Sequence, residues 1–249
     1  MVATALRRSA LVTGAAKRIG RAIALDLVEQ GYGVALHCNR SRQEADTMAA
    51  DIRAKGGVAC VVVGDLAAGD KVAAIVEDAR AAIGPLSLLV NSASMFEADA
   101  VGTLRADIWN HQFAVNAQAP VLLAQAFAAQ VAEDAADPSI VNLIDQRVLN
   151  PRPDYVSYYL SKSVLHVATL TLAQALAPRI RVNAIGPGPT LQAASQSAEE
   201  FAEEAGSTLL RHSSAVEDVV QAVLYLASAR SVTGQMIAVD AGQHLIWAT

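Results

Sequence analysis

Seven short apolar runs, near residues 10–12, 34–36, 59–63, 86–90, 140–144, 181–185 and 236–239, recur along the chain with room for a helix between most of them. Runs this short and this continuously apolar fit strands buried on both faces, and strands separated by helices run parallel. The alternation predicts an α/β fold: a doubly wound, seven-stranded parallel sheet with helices on both faces and right-handed crossovers. Pro85, Pro138, Pro151, Pro153, Pro187 and Pro189 are read as loop punctuation, and neither a linker nor a short-period repeat divides the sequence. Residues 1–249 are therefore expected to form a single domain.

The first repeat says what such a sheet could hold. In "SALVTGAAKRIGRAIALDLVEQGYGVALHCNRS" a strand runs into a glycine turn, an amphipathic helix and a second strand. Gly14 and Gly20 allow a tight turn and close helix–strand packing, and the free N–H groups of the helix start suit a phosphate. Lys17 and Arg18 add two cations where the usual dinucleotide pattern has another glycine at position 18, so Gly14, Lys17, Arg18, Ile19 and Gly20 form a candidate pyrophosphate cradle. After the second strand come His37, Cys38, Asn39, Arg40 and Ser41, with no carboxylate to bind a ribose 2′-hydroxyl. Asn39, Arg40 and Ser41 suit a 2′-phosphate instead, and NADPH is the expected cofactor. Ser41 is equally placed to cap the helix that starts near Arg42.

Composition removes other classes. A hydrophobic fraction of 53% against 17% charged residues supplies a large interior, and a net charge of −5 without a basic block argues against a nucleic-acid surface. The apolar stretches are too interrupted to span a bilayer, and the first residues lack the core and cleavage site of a signal peptide, so a cytoplasmic protein is expected. Cys38 and Cys60 have no metal-ligand spacing and are read as thiols kept reduced, with no metal site.

In an open parallel sheet the ligand lies beyond the carboxyl ends of the strands. There the chain carries Asp65, a candidate acceptor for an adenine amino group with Leu66 beside it, then Asn91, Asp145, and the turn Gly186, Pro187 and Gly188. Each could also be a cap or turn residue. Farther on, Tyr158 and Lys162 stand four apart, on one helical face, where an ammonium is expected to lower the phenol pKa and make Tyr158 a usable acid/base.

Taken with "VTGAAKRIG", "GDL", "NSAS", "VNAQAP", "RVNAIGPGP" and "VTGQMIAVDAG", that pair resembles the short-chain dehydrogenase/reductase superfamily over essentially the whole chain. The resemblance implies that Tyr158 is the catalytic acid/base, that Lys162 holds the nicotinamide ribose and that Asn116 supports a water-linked proton path. It places Asn91 and Ser94 beside the cofactor and has Gly188 and Thr190 approach the nicotinamide and phosphates. One position departs: Asp145 stands thirteen residues before the tyrosine (158 − 145 = 13), where most of the superfamily has serine. A serine hydroxyl donates to a substrate carbonyl, whereas an ionised carboxylate only accepts. Burial or the neighbouring phenol could keep Asp145 partly protonated, letting it share a proton with Tyr158.

The arginine in the glycine turn, "LHCNRS", "NSASMF" and this aspartate are together similar to the pteridine reductase branch, including dihydromonapterin reductase-like proteins. That likeness implies a pterin substrate contacted by Arg18, Ser94, Phe96, Asp145 and Tyr158, with Phe96 covering the ring opposite the nicotinamide, although an aromatic beside a loop can equally be a core or lid side chain. The expected activity is NADPH-dependent reduction of a pterin or dihydropterin C=N bond. The alternatives are an NADPH-dependent carbonyl or 3-oxoacyl thioester reductase and, in another class, a non-catalytic NADPH-binding sensor or scaffold. Residues 190–210 match the region that covers substrate in relatives, and the alanine-rich stretches 106–131 and 156–176 resemble the subunit interfaces of a homotetramer.

Overall fold

The structure, a computed structural model, describes residues 8–132, 135–193 and 196–246, so the reading of the N-terminal stretch falls largely outside it. Its strands are β1 (Ser9–Val12), β2 (Gly33–Cys38), β3 (Ala59–Val63), β4 (Leu88–Asn91), β5 (Ser139–Leu143), β6 (Arg181–Pro187) and β7 (Met236–Val239). All pair in parallel, in the order β3-β2-β1-β4-β5-β6-β7. The helices are α1 (Arg18–Glu29), α2 (Arg42–Ala54), α3 (Val72–Ile83), α4 (Ala106–Phe113), α5 (Ala119–Gln130), α6 (Val156–Leu176), α7 (Ala198–Gly206) and α8 (Val216–Ser228).

The period of two decides which helices cover which face. Ala10, Val12, Leu88 and Val90 pack with α1, α2 and α8 through residues such as Ile23, Leu27, Ile52 and Val223. Leu11, Leu89, Ile140 and Val182 point the other way, onto Ile75 of α3, Leu123 and Phe127 of α5, and Ala173 of α6. Burying a large aliphatic side chain fully contributes about 1.5–3 kcal/mol, so residues alternating between two helical layers fix the register of every strand. The strand order reverses between β1 and β4, which opens a crevice at their carboxyl ends.

The sequence reading needs three corrections here. The fourth and fifth strands begin at Leu88 and Ser139 rather than at 86 and 140, and Pro187 is the last residue of β6, paired with Val239, not a loop residue. A proline is tolerated there because it ends the strand. The stretch 106–131 is not one uninterrupted α-helix: a π-helical turn over Ala114–Gln118 separates α4 from α5. Such a turn swings a side chain out of the regular helical row, and the residue it carries is Asn116.

Candidate active site

The glycine turn after β1 is built by close approach. Gly14 has φ +65°, and a Cβ there would come within 3.0 Å of Ala93 Cα, while one on Gly20 would collide with the Gly14 carbonyl. A buried histidine braces it: Gly14 N–H donates to His37 Nδ1 at 3.4 Å, so the other ring nitrogen carries the proton toward Gly64 O at 3.2 Å. Burial lowers the His37 pKa to about 4, which keeps the ring neutral in that role. Lys17, the residue before α1, makes no side-chain cap, so the helix start keeps N–H groups for an anion.

Around this cradle the structure sorts the predicted cofactor residues. Lys17 pairs with Glu44 at 2.7 Å, and Asn39 and Arg40 are exposed. Ser41 sits at the N-cap of α2, yet its side chain makes no cap bond and stays available to a phosphate. Ile19 packs partly against the core, Leu66 is buried, and exposed Asp65 accepts from Ala67 N–H at 2.9 Å, a turn bond that leaves its second oxygen for an adenine. A Cβ on Gly188 would stand 2.6 Å from Asp240 Cα, which explains the glycine, and Thr190 bonds back to Gly188 O at 3.1 Å.

Two residues are placed differently from the sequence reading. Asn91 is the last residue of β4 and its side chain is buried, giving Nδ2 to Asn142 Oδ1 at 2.8 Å; it ties two strands together rather than facing the crevice. Arg18, at φ 54°, donates from its guanidinium to Gln192 O (2.9 Å) and Leu191 O (3.0 Å), which reaches from the glycine turn to the 190–210 segment.

The proton-handling groups do converge. Tyr158 donates to Asp145 Oδ2 at 3.1 Å, Asp145 Oδ1 accepts from Arg147 N–H at 2.8 Å, and Lys162 Nζ lies 5.8 Å from the Tyr158 ring centre while donating to Leu143 O at 2.8 Å. Asn116 accepts from Met95 N–H at 2.8 Å and from Ser94 Oγ at 3.3 Å, and donates to Ser161 Oγ at 3.1 Å. Ser94 lies close enough to the Tyr158 phenol to favour its charged form against the burial that opposes it.

The electrostatics overturn one expectation. Tyr158 is held well above its ordinary value, first by burial and then by the Asp145 carboxyl, so Lys162 does not lower it in the protein alone. The carboxyl touches the phenol and the ammonium does not. Burial raises Asp145, against the pull of its hydrogen bonds, Lys162 and Arg147; although the residue keeps some surface exposure, protein atoms crowd the carboxyl itself. Burial likewise brings Lys162 down to about 8. Burial thus favours the neutral form of both partners in the Tyr158–Asp145 hydrogen bond.

Several neighbours escaped the sequence reading. Tyr155 precedes α6 with φ 52° and stacks on Phe96, ring centres 4.4 Å apart and planes 6° from parallel, while Phe96 meets Tyr158 edge-on at 4.7 Å. Asp99 accepts from Ser157 N–H at 3.0 Å and from its hydroxyl, and Gln112 Nε2 donates to that hydroxyl at 2.6 Å, fixing the Phe96 loop to α6. The cluster of tyrosines in "YVSYYLSK" was the available signal for Tyr155; nothing local marked Asp99. Burial raises both thiols, that of Cys60 to about 11, consistent with unreactive cysteines. Among the described residues no His/Cys/Asp/Glu group could hold a metal, and no helix is long and apolar enough to cross a membrane.

A family model described as enoyl-(acyl carrier protein) reductase matches residues 14–244. The chain is 48% identical to FolM alternative dihydrofolate reductase 1 from Brucella canis, solved in complex with NADP, with a TM-score of 0.95 over 98% of this chain and 96% of that one. It is 32% identical to a short-chain type dehydrogenase/reductase of Picea abies over 95% of this chain and 92% of the relative. It is 28% identical to the 3-oxoacyl-[acyl-carrier-protein] reductase FabG of Staphylococcus epidermidis, over 96% and 100% of the two chains.

Proposed function

The chain belongs to the short-chain dehydrogenase/reductase superfamily, and from that premise we propose that it is an NADPH-dependent reductase of a pterin or dihydropterin C=N bond. The observation that carries the substrate class is the Tyr158–Asp145 hydrogen bond, 3.1 Å long, at the position where most of the superfamily places a serine. A serine would offer a carbonyl oxygen a donor; this pair instead holds a proton in a crowded site and suits a basic ring nitrogen.

The residues fit the cofactor. The glycine cradle at Gly14 and Gly20, the free start of α1, Arg40 and Ser41 without a carboxylate beside them, and Lys162 at the sheet edge would hold a dinucleotide carrying a 2′-phosphate. NADPH, when bound, supplies a hydride. Tyr158 would give its proton to the substrate nitrogen, and Asp145, whose pKa burial raises, is the group hydrogen-bonded to the phenol as that proton is replaced. Asn116 and the π-helical turn keep Ser94 at the phenol, and Phe96, backed by Tyr155, offers a flat apolar wall to the heterocycle. Residues 190–210 act as the lid; Ala194 and Ser195 lie outside the described residues. A homotetramer is supported by Leu160, Val164, Val167 and Leu170, which leave an apolar stripe of α6 exposed.

The FabG likeness favours a second reading, reduction of a 3-oxoacyl thioester. Turnover of biopterin, dihydrofolate, dihydromonapterin and a ketoester with NADPH separates the two. Pterin turnover that Tyr158→Phe abolishes while NADPH still binds, and that Asp145→Ser impairs, is the expected result. Ketoester turnover alone, or an Asp145→Ser protein fully active on pterins, overturns the proposal.

A further inference from the structure

One spacing, a serine followed three residues later by a glutamate, opens two helices and is used in two ways. At α7, Ser197 Oγ accepts from Glu200 N–H at 3.1 Å and Glu200 Oε2 accepts from Ser197 N–H at 2.7 Å, so each residue caps the other's backbone. At α2, Ser41 has ψ 46° where Ser197 has 165°, and its side chain makes no cap bond. Glu44 instead takes Lys17 Nζ at 2.7 Å, reaching across to the glycine turn. The capping box that the sequence permits at α2 is left open, and the helix starts without a side-chain cap beside Arg40 and Ser41.

The charges at this corner are Lys17 from the glycine turn, Arg40 at the end of β2, and Arg42, Glu44 and Asp46 from α2. Arg42 is drawn along its own helix to Asp46 at 3.4 Å, and Arg40 forms no ion pair among the described residues. Lys17 first, and then its own N–H, hold the Glu44 carboxyl below the usual carboxylate range, so Glu44 is an anion in the first turn of α2. A phosphate seated by Arg40 and Ser41 meets that anion as a like charge. Both side chains of the Lys17–Glu44 pair are about half exposed, and such a pair adds little stability of its own. Its consequence lies in what it does to a third charge.

We infer that Glu44 is a specificity-determining residue for the coenzyme: it is the charge that opposes a 2′-phosphate beside Arg40 and Ser41, and Lys17 acts by neutralising Glu44 rather than by holding a phosphate itself. The preference for NADPH is thereby set by an acid and its neutralising partner as well as by the residues that bind the phosphate. The inference rests on the reading that Arg40 and Ser41 take the 2′-phosphate, and it deepens that reading by naming what limits the affinity there.

The test is a double-mutant cycle read as dissociation constants of NADPH and NADH, using the full chain without substrate. Glu44→Gln should tighten NADPH about three- to tenfold and leave NADH unchanged, the factor carried by one exposed charge a few ångströms from a phosphate. Lys17→Met alone should weaken NADPH by a similar factor, and in the Glu44→Gln background it should do almost nothing. A lysine that grips the phosphate directly loses as much or more once Glu44 is gone, and that result overturns the inference, as does a Glu44→Gln protein with unaltered NADPH affinity. A second measurement follows the carboxyl itself, by 13C-carboxyl glutamate labelling with Glu44→Gln for assignment. Without coenzyme, the Glu44 midpoint should rise in Lys17→Met; an unmoved midpoint means that the pair does not hold in solution and overturns the inference. In the parent, NADP+ should raise the midpoint and NAD+ should not. A midpoint that NADP+ moves no more than NAD+ does overturns the placing of the 2′-phosphate at Arg40 and Ser41; a midpoint that NADP+ alone moves, with equal Lys17→Met losses in both backgrounds, overturns the role of Lys17 and Glu44 alone.

Discussion

Two buried cations at opposite edges of the sheet are handled in opposite ways. Arg181, at the amino end of β6, binds Asp137 at 2.8 Å through Nε, Leu226 O at 2.7 Å and Ala227 O at 2.9 Å. It lines a cavity of about 330 Å³ with Arg179, whose guanidinium is likewise given to Ala128 O and Val131 O. Lys162, at the carboxyl edge, gives one bond to Leu143 O and is left with burial bringing its pKa to about 8. A cation kept for structure has its donors saturated by the protein; one kept for binding retains donors for a ligand. The cavity at the amino edge is thus part of the scaffold, and the chemistry belongs at the edge whose polar groups are less fully paired.

Exchanging the two losses tests this most severely. Lys162→Met should cut kcat/KM by about 10²–10³ while the protein stays folded, because it removes a group that orients cofactor and reacting centre. Arg181→Met should cost about 3–5 kcal/mol of stability, since it leaves Asp137 without its principal partner, yet spare the activity of the molecules that remain folded. Denaturant midpoints beside active-site-normalised rates decide it. A folded but inactive Arg181→Met protein would erase the distinction.

The next effect is one of pH. The folded-state pKa of Lys162 is about 8 against 10.5 unfolded, so the unfolded chain binds the extra proton between those values and stability rises with pH across that window. The lysine therefore costs about 3 kcal/mol below pH 8 and less above it. Lys162→Met should abolish this rise in urea titrations from pH 7.5 to 10, whereas Arg181→Met should keep it; parallel slopes in both would place the titration elsewhere.

What the sequence disclosed follows the same division. Strand positions, the glycine cradle and the Tyr158–Lys162 face were legible because period and turn chemistry are local. The sign of the Tyr158 shift was not, because burial and the distance to Asp145 are properties of the packed site. Asn91 looked like a loop residue until Asn142 of the neighbouring strand claimed it, and the reach of Arg18 to a carbonyl 173 residues away could not be read from the glycine turn. Asp99 bears no local signature at all, since its partner Ser157 lies on another element.

Arg40 tests the coenzyme side of the same edge. It is exposed at the end of β2, so its donors resemble those of Lys162 more than those of Arg181. Arg40→Ala should weaken NADPH binding by about 1.5–3 kcal/mol, the usual worth of a charge-assisted hydrogen bond, and leave NADH binding nearly unchanged. Fluorescence titration with both nucleotides reads the ratio. Equal losses would mean that Arg40 shapes the loop and does not recognise a phosphate.

The smallest effect is expected where both edges share one backbone strain. Asp137 and Tyr155 each have φ 52°, a left-handed conformation that costs an ordinary residue about 1–2 kcal/mol and glycine far less. Asp137→Gly relieves the strain but forfeits the Arg181 bond, so it should destabilise clearly. Tyr155→Gly relieves the same strain and loses the stack on Phe96, worth about 0.5–1.5 kcal/mol, with a more distant edge contact to Tyr159, so its stability should lie within about 1 kcal/mol of the parent. Its kinetics should not be neutral: without Tyr155 behind it Phe96 is loose, and KM for a dihydropterin should rise several-fold while KM for NADPH holds. A protein made substantially less stable with both KM values unchanged would show that the stack serves folding, and the contrast between the edges would then fail at the aromatic wall.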